Sequence, residues 1–400
     1  MSKKRILMIA PDRIKKPVGG MGIQVSHLTE ALEKDFHFDL IGYPEDDPPA
    51  NYIGVKNPLP KIPHSALTTL ASQIAYFAVA EKLPKPDLVH AQDWSTYLAG
   101  VYTAEHFNVP LVVSMNLSVI MLETIGVIFA KDFGAWDGYW LHRTHCEIEL
   151  LGLRKAKKIV HVSNGYRKRF KHIAEFDKKT VVVPNGIDLM AWQKFKPKKL
   201  PGHAKLKVVF LGRPAIMKGV IPLCQAKIPE EIDLIFISPE TGGEFDTFQE
   251  IIKKTENEKN VHYIGPLFDQ EKIDALGSAD AVIMPSRHEP FGIVALEALA
   301  SRSILLSSFV DGMSDFLTDH VAINCGTTKE SIEKGLKKLV EMSEVEKNRR
   351  IEKGLEICRE YSWENAARKM KSVYDEVIND SSIEKKKNEK AYSNHRSRQD

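Results

Sequence analysis

Cysteine is scarce in this chain, which has four among its 400 residues. They are far apart in sequence and form no CxxC pair and no Cys/His cluster with metal-ligand spacing: Cys146, Cys224, Cys325 and Cys358. An Asp-x-Asp triplet is also missing. These absences favour a reduced, cytoplasmic setting and indicate no metal site.

Long hydrophobic runs are missing as well. The apolar run at residues 6–10 ends before Pro11, so it is too short for the core of a signal peptide, and we interpret it as a buried strand. The longest apolar stretch, residues 119–130, is interrupted by Glu123 and is shorter than the ~20 residues that a spanning helix needs. We therefore expect no transmembrane anchor.

An excess of one charge sign is the third absence. The chain has 56 Lys and Arg against 53 Asp and Glu, a formal net charge of +3, which argues against a dedicated nucleic-acid binder. A basic cluster at residues 167–172 is interpreted as an exposed helix, so peripheral contact with a membrane stays open but is not indicated. Oligomeric state is not predicted.

What is present is an α/β pattern that occurs twice. Short β-branched runs alternate with amphipathic segments over residues 5–184 and again over 207–307, which is typical of βαβ units and parallel sheets. A charged, proline-containing segment separates the two series. We predict two Rossmann-like doubly wound domains, a helix that crosses back to the first domain, and a disordered polar tail. Their predicted bounds are 1–198, 199–360, 361–380 and 381–400.

The strongest motif spans residues 284–300, where a strand ends, a Pro/Gly turn follows and an Ala/Leu-rich helix begins. The first N–H groups of a helix have no internal partners and, with the helix dipole, attract phosphate oxygens. Glu289 precedes the helix and Glu297 lies inside it, so both carboxylates can face a ligand there. The alternative is a solvated Glu pair beside an ordinary helix. The candidate backbone donors are Phe291, Gly292 and Ile293.

A second candidate site follows the first strand of the second series. Arg213 and Lys218 bracket a loop at the carboxyl end of that strand, which is where open sheets bind ligands. A nucleoside diphosphate gains negative charge as it leaves, and the two cations can neutralise that charge. Considered alone, the pair could equally be solvated surface charge.

In the first domain, two loops follow strands. Gly19 and Gly20 lead into a helical pattern at 23–32, where glycine permits a close approach to a ligand or simply makes a tight turn. Asp93 and Trp94 follow another strand, so a sugar could stack on the indole ring. A capping Asp93 and a core Trp94 are the structural alternative.

Together these residues resemble glycosyltransferase family 4 and the related glycogen and starch synthases, which share the GT-B fold. The most specific element is the spacing of Glu289 and Glu297 within Pro-Ser-Arg-His-Glu-Pro-Phe-Gly. The likeness covers most of the chain, in segments at 17–22, 90–94, 183–188, 212–219, 284–300 and 362–364.

The resemblance implies retaining, metal-independent transfer of a sugar, with a hexose expected, from a nucleotide-diphosphate sugar to a carbohydrate or other hydroxyl acceptor, a glucan among them. It implies an acceptor-side first domain, a donor-binding second domain and no cofactor besides the donor. It places Arg213 and Lys218 on the donor diphosphate. It also places Glu289 near the donor sugar and Glu297 on the ribose.

The chain departs from its relatives at three positions. Where glycogen synthases carry a Lys two residues before the paired glycines, this chain has Pro17, with Lys16 one step earlier. Asn116 replaces a His, and it can hydrogen-bond a sugar hydroxyl but cannot become a cation. Asp311 replaces a Gly, and its carboxylate could select or reject substrate groups.

Two alternatives to a transferase stay open, and Asn116 and Asp311 bear on the second of them. One is a sugar-nucleotide epimerase or hydrolase with the same donor motifs. The other is a non-catalytic nucleotide-sugar-binding protein. The base, the sugar and the acceptor depend on pocket shape and are not predicted.

Overall fold

The computed structural model describes residues 3–15, 17, 19–61, 66–124, 137–169, 174–238, 248, 250 and 258–396. The chain divides into two compact units. Unit 1 comprises Met1–Val162, Arg169–Val183 and Ala366–Asp400, and unit 2 comprises Ser163–Lys168 and Pro184–Asn365. The main boundary between the two units therefore falls after Val183, whereas the sequence pattern predicted it after residue 198.

Unit 1 is built on a seven-stranded parallel sheet in the order β3-β2-β1-β4-β5-β6-β7. The strand order reverses between β1 and β4, which pair directly in register. A reversal of this kind creates a crevice at the carboxyl ends of the strands. The strands are β1 Lys4–Ile9, β2 Phe36–Gly42, β3 Tyr52–Gly54, β4 Leu88–Gln92, β5 Leu111–Met115, β6 Lys158–His161 and β7 Thr180–Val182.

Unit 2 repeats this plan with a six-stranded parallel sheet in the order β10-β9-β8-β11-β12-β13. Its order reverses between β8 and β11. Strand β9 is buried along its whole length, which explains its nearly continuous apolar sequence, because parallel sheets are covered on both faces. The strands are β8 Leu206–Leu211, β9 Ile232–Ile237, β10 Val261–Ile264, β11 Ala281–Met284, β12 Ile304–Ser307 and β13 Ile323–Asn324.

Helices connect these strands, and the two-domain α/β prediction is confirmed. Within the described ranges, no helix combines the length and apolar character that a membrane crossing requires. The helices are α1 Gly20–Leu32, α2 Ala66–Ala80, α3 Trp94–Phe107, α4 Val119–Thr124, α5 Asp137–Lys155, α6 Asn164–Arg167, α7 Ala174–Asp177, α8 Leu189–Trp192, α9 Val220–Gln225, α10 Asp269–Gly277, α11 Ile293–Ala300, α12 Lys329–Val340, α13 Glu344–Glu360 and α14 Trp363–Arg396.

The last helix belongs to unit 1 from Ala366 onward. Tyr374 is fully buried, its hydroxyl lies 2.7 Å from Nδ1 of His90, and its ring packs edge-on against Phe36 at 5.4 Å. Helix α14 extends to Arg396, whereas the sequence predicted a disordered tail from Ser381. The Lys and Glu residues of that segment favour a helix even without an apolar face.

Ser163–Lys168 joins unit 2 through its own hydrogen bonds. The hydroxyl of Ser163 donates to the carbonyl of Pro290 at 2.6 Å. The backbone N–H groups of Asn164 and Gly165 donate to the carboxylate of Asp315 at 2.6 and 2.7 Å. These bonds hold the segment against the loop that precedes α11 and against the turn after β12.

Candidate active site

The turn before α11 is specified by glycine. Gly292 caps the helix with φ +97°, and a Cβ there would lie 2.7 Å from Cγ of Met313, so a larger residue would be strained twice. The ring of Phe291 is buried against Phe316 and Tyr361. Phe291 can therefore offer a ligand its backbone N–H only, as can Gly292 and Ile293 in the first turn.

Two of the predicted catalytic residues meet beside this turn. Nζ of Lys218 donates to Oε2 of Glu289 at 2.5 Å, although the residues are 71 positions apart in sequence. The Glu289 side chain is 10% exposed and the Lys218 side chain is 26% exposed. A ligand can therefore reach the pair. A polar group of the ligand can replace Glu289 as the partner of Lys218, or Lys218 as the partner of Glu289.

The loop that carries Lys218 is attached to the loop after β11. The backbone N–H groups of Arg287 and His288 donate to the carbonyl of Met217 at 2.8 and 3.2 Å. Gly219 has φ +69°, and a Cβ there would lie 2.0 Å from the carbonyl oxygen of Pro285. Because β8 and β11 are neighbours in the sheet, these loops meet at one edge. Arg213 lies at the same end of β8 and is exposed.

Asp311 turns inward. Its side chain is fully buried, accepts the backbone N–H of Glu289 at 2.9 Å, and contacts Nδ1 of His288. Gly312 donates its N–H to the carbonyl of Glu289 at 3.1 Å. The sequence suggested that this carboxylate selects substrate groups. The structure gives it the different task of holding the backbone that presents Glu289.

Glu297 lies inside α11 and has a partner that the sequence reasoning missed. Its Oε1 accepts a hydrogen bond from Nζ of Lys272 at 2.7 Å, and the Glu297 side chain is 4% exposed. Nζ of Lys272 also lies 5.2 Å from the ring centroid of Trp192. Oε2 of Glu297 is buried and has no hydrogen-bond donor among the described residues. No sequence motif marked Lys272, because it lies in a separate helix.

The glycine loop of unit 1 is bound by a side chain that was not predicted, that of Asp12. The carboxylate of Asp12 accepts the backbone N–H of Gly22 at 3.1 Å and that of Arg13 at 2.7 Å. It therefore occupies part of the N-terminal end of α1. Gly19 and Gly20 are exposed beside it. Lys16 lies outside the described residues, as do residues 170–172 of the basic cluster.

Asp93, Trp94 and Asn116 make contacts within unit 1. Asp93 has φ +66° and its carboxylate accepts the N–H of Trp94 at 2.7 Å, while burial raises the pKa of this carboxyl. The indole of Trp94 packs on the ring of His145 at 4.1 Å between centroids. Nδ2 of Asn116 donates to Oε1 of Gln92 at 3.2 Å. Asp93 thus caps α3, and Asn116 has a protein partner.

Both halves of the chain match known protein families. Residues 18–190 match the family model Glycosyltransferase Family 4, and residues 192–356 match the model Glycosyl transferases group 1. Alpha-maltose-1-phosphate synthase of Mycolicibacterium smegmatis is 26% identical over 93% of this chain and 99% of the relative. Glycogen synthase of Mycobacterium tuberculosis is 25% identical over 80% and 82%.

A solved structure shares the fold. Sucrose-phosphate synthase from Thermosynechococcus elongatus superposes with a TM-score of 0.78 at 19% identity, covering 94% of this chain and 99% of that one. Two doubly wound α/β units with this architecture define the GT-B fold of glycosyltransferases. The two family models together cover most of the chain, which belongs to the group 1 glycosyltransferases with a family 4 N-terminal half. The predicted family, fold and enzyme class are confirmed.

Proposed function

We propose that this glycosyltransferase is a retaining, metal-independent hexosyltransferase whose donor is a nucleoside diphosphate sugar. The observation that carries the proposal is the Lys218–Glu289 pair at the N-terminal end of α11. The ammonium group can neutralise the donor diphosphate, the first N–H groups of α11 can bind its oxygens, and the Glu289 carboxylate can accept sugar hydroxyls.

The reaction needs one bond to form and one to break. An acceptor hydroxyl oxygen bonds to the anomeric carbon while the bond from that carbon to the β-phosphate oxygen breaks. The electron pair leaves with the nucleoside diphosphate, and an oxygen of the leaving group takes the acceptor proton. Lys218 and Arg213 stabilise the charge that develops there. The acceptor oxygen attacks the anomeric carbon from the same face that the diphosphate leaves, so the anomeric configuration is retained.

Glu297 completes the donor site in this proposal. Its buried Oε2 can accept a hydrogen bond from a ribose hydroxyl, while Oε1 stays on Lys272. The Lys272 ammonium offsets the negative charge of this carboxylate beside the phosphates. We assign the stabilisation of the leaving-group charge to Arg213 and Lys218, because both lie in the loop at the carboxyl end of β8.

The acceptor is a carbohydrate or other hydroxyl compound. The names of the relatives include a glycogen synthase and synthases of phosphorylated sugars, so they leave both a glucan and a sugar phosphate open. We propose a cytoplasmic enzyme, because the four cysteines are far apart in sequence and form no CxxC pair. We propose no nucleic-acid partner, because the formal net charge is only +3.

The test is product analysis with a panel of UDP-, ADP- and GDP-sugars, each with and without acceptors. We expect acceptor-dependent release of nucleoside diphosphate, unchanged by EDTA, and a glycoside with the donor's anomeric configuration by NMR. Free sugar or an epimerised donor as the only product would instead establish a hydrolase or an epimerase. Binding of a nucleotide sugar without turnover would establish a binding protein.

A further inference from the structure

Unit 1 contains a cavity of about 410 Å³ at the carboxyl edge of its sheet. Pro11 follows β1, Tyr43 follows β2, Val55 follows β3 and Trp94 follows β4, and all four line it. Strands β1 and β4 flank the point at which the strand order reverses, where open α/β sheets bind ligands. The volume lies in the range of small-molecule sites, about 300 to 1,000 Å³.

The charge of the lining is of one sign. Arg13 and Lys56 both contribute to the wall, and none of the described lining residues is Asp or Glu. Three carboxylates lie nearby, and each accepts backbone N–H groups. Asp12 accepts those of Arg13 and Gly22, and Glu45 accepts those of Ile14 and Lys15. Asp93 accepts that of Trp94. Arginine and lysine together are the side chains that bind phosphate, one through a planar fork and the other as a point charge.

The remaining wall suits a hydroxylated ring. The Ser72 hydroxyl donates to the carbonyl of Thr68 and can still accept a hydrogen bond from a ligand. Oδ1 of Asn57 accepts the N–H of Leu59, and its Nδ2 can donate to a ligand. Ser95 adds a further hydroxyl. Tyr43, which is 45% exposed, and Trp94 supply aromatic surface against which the C–H face of a sugar can pack. The cavity therefore combines an anion-binding wall with groups for a polyhydroxylated body.

We infer that this cavity binds the acceptor and that the acceptor is a small phosphorylated sugar or polyol, a phosphate monoester rather than a glucan chain. This inference rests on the proposed transferase function. The phosphate stays bonded to the acceptor throughout and serves as its handle on Arg13 and Lys56. One free hydroxyl of the acceptor forms the new bond, and its proton leaves with the nucleoside diphosphate.

The test compares acceptors and variants. With the donor that the wild-type protein turns over, we expect transfer to one or more of glucose 1-phosphate, glucose 6-phosphate, fructose 6-phosphate and inositol 1-phosphate. Transfer to glucose, inositol or maltooligosaccharides should be at least about tenfold less efficient. Arg13→Gln and Lys56→Gln should each raise the acceptor KM about tenfold or more and leave the donor KM unchanged.

Exposed cations outside the cavity provide matched controls. Arg154→Gln and Lys82→Gln should leave both KM values unchanged. Equal or better transfer to maltooligosaccharides or unphosphorylated sugars would overturn the inference while the transferase function stands. If no nucleotide sugar is turned over, calorimetric titration with the four phosphate esters decides. Binding that is lost in both cavity variants supports the cavity assignment, and absence of binding overturns it.

Discussion

Glu297→Gln should weaken nucleotide binding, whatever sugar the nucleotide carries. The substitution keeps the shape of the side chain but removes its charge. If Oε2 accepts a ribose hydroxyl, the loss is that of a charge-assisted hydrogen bond, about 1.5 to 3 kcal/mol, or roughly 10- to 150-fold in Kd. The same loss should appear in calorimetric titration with the free nucleoside diphosphate and with the complete donor.

The structure adds a stability effect to this prediction. The variant leaves the Lys272 ammonium, whose side chain is 19% exposed, beside an amide instead of a carboxylate at 2.7 Å. Breaking a fully buried pair costs about 3 to 5 kcal/mol of folding free energy. Lys272 is partly exposed and the amide keeps one oxygen acceptor, so we expect the free energy of unfolding in urea to fall by only about 1 to 2 kcal/mol. Glu352→Gln is the control, because its ion pair with Arg302 is more than half exposed and should change neither quantity.

Glu289→Gln separates the two carboxylates. It should harm transfer and discrimination between donor sugars while nucleoside diphosphate affinity stays near that of the wild type. An affinity loss confined to Glu289→Gln would show that the ribose and sugar assignments are reversed. Unchanged nucleotide affinity in Glu297→Gln, in a protein that folds normally, would refute the reasoning directly.

The remaining predictions concern turnover, pH and the C-terminal helix. Arg213→Ala and Lys218→Ala should each lower kcat about 10²- to 10³-fold in a nucleoside diphosphate release assay; near-normal turnover in both would remove the diphosphate site. Burial raises the pKa of Glu149 to about 7. The free energy of unfolding should therefore fall by up to about 3 kcal/mol between pH 4.5 and 7, and the fall should be smaller in Glu149→Gln. Truncation after Asp380 should leave activity intact, and a large loss would show that the end of α14 is required.

The sign of the Glu149 effect follows from its surroundings. Its carboxylate accepts the hydroxyl of Ser118 at 2.5 Å and the N–H of Val119 at 2.7 Å, yet desolvation outweighs these bonds. The folded protein therefore holds its proton more tightly than the unfolded chain, and it loses that advantage as pH rises through the folded pKa. Stability that is flat from pH 4.5 to 7 in the wild type would contradict this account.

The sequence alone determined the features that depend on short stretches of chain. Two series of buried strands predicted two parallel sheets, because a strand covered on both faces must be nearly continuously apolar. The turn before α11 was predicted from its own residues, since Gly292 has to adopt a positive φ and a helix must begin after it. Glu289 and Glu297 were singled out for the same reason, as part of one local motif.

Only the tertiary structure decided which distant groups meet. Strand order brings the loops after β8 and β11 to one edge, and this places Lys218 on Glu289. Helix packing places Lys272 on Glu297, and the turn after β12 directs Asp311 inward. The same applies to the cavity, whose wall comes from loops after four strands. Periodicity in a sequence specifies which face of a helix or strand is buried. Which elements become neighbours depends on the order of the strands in the sheet, and a local sequence pattern does not predict that order.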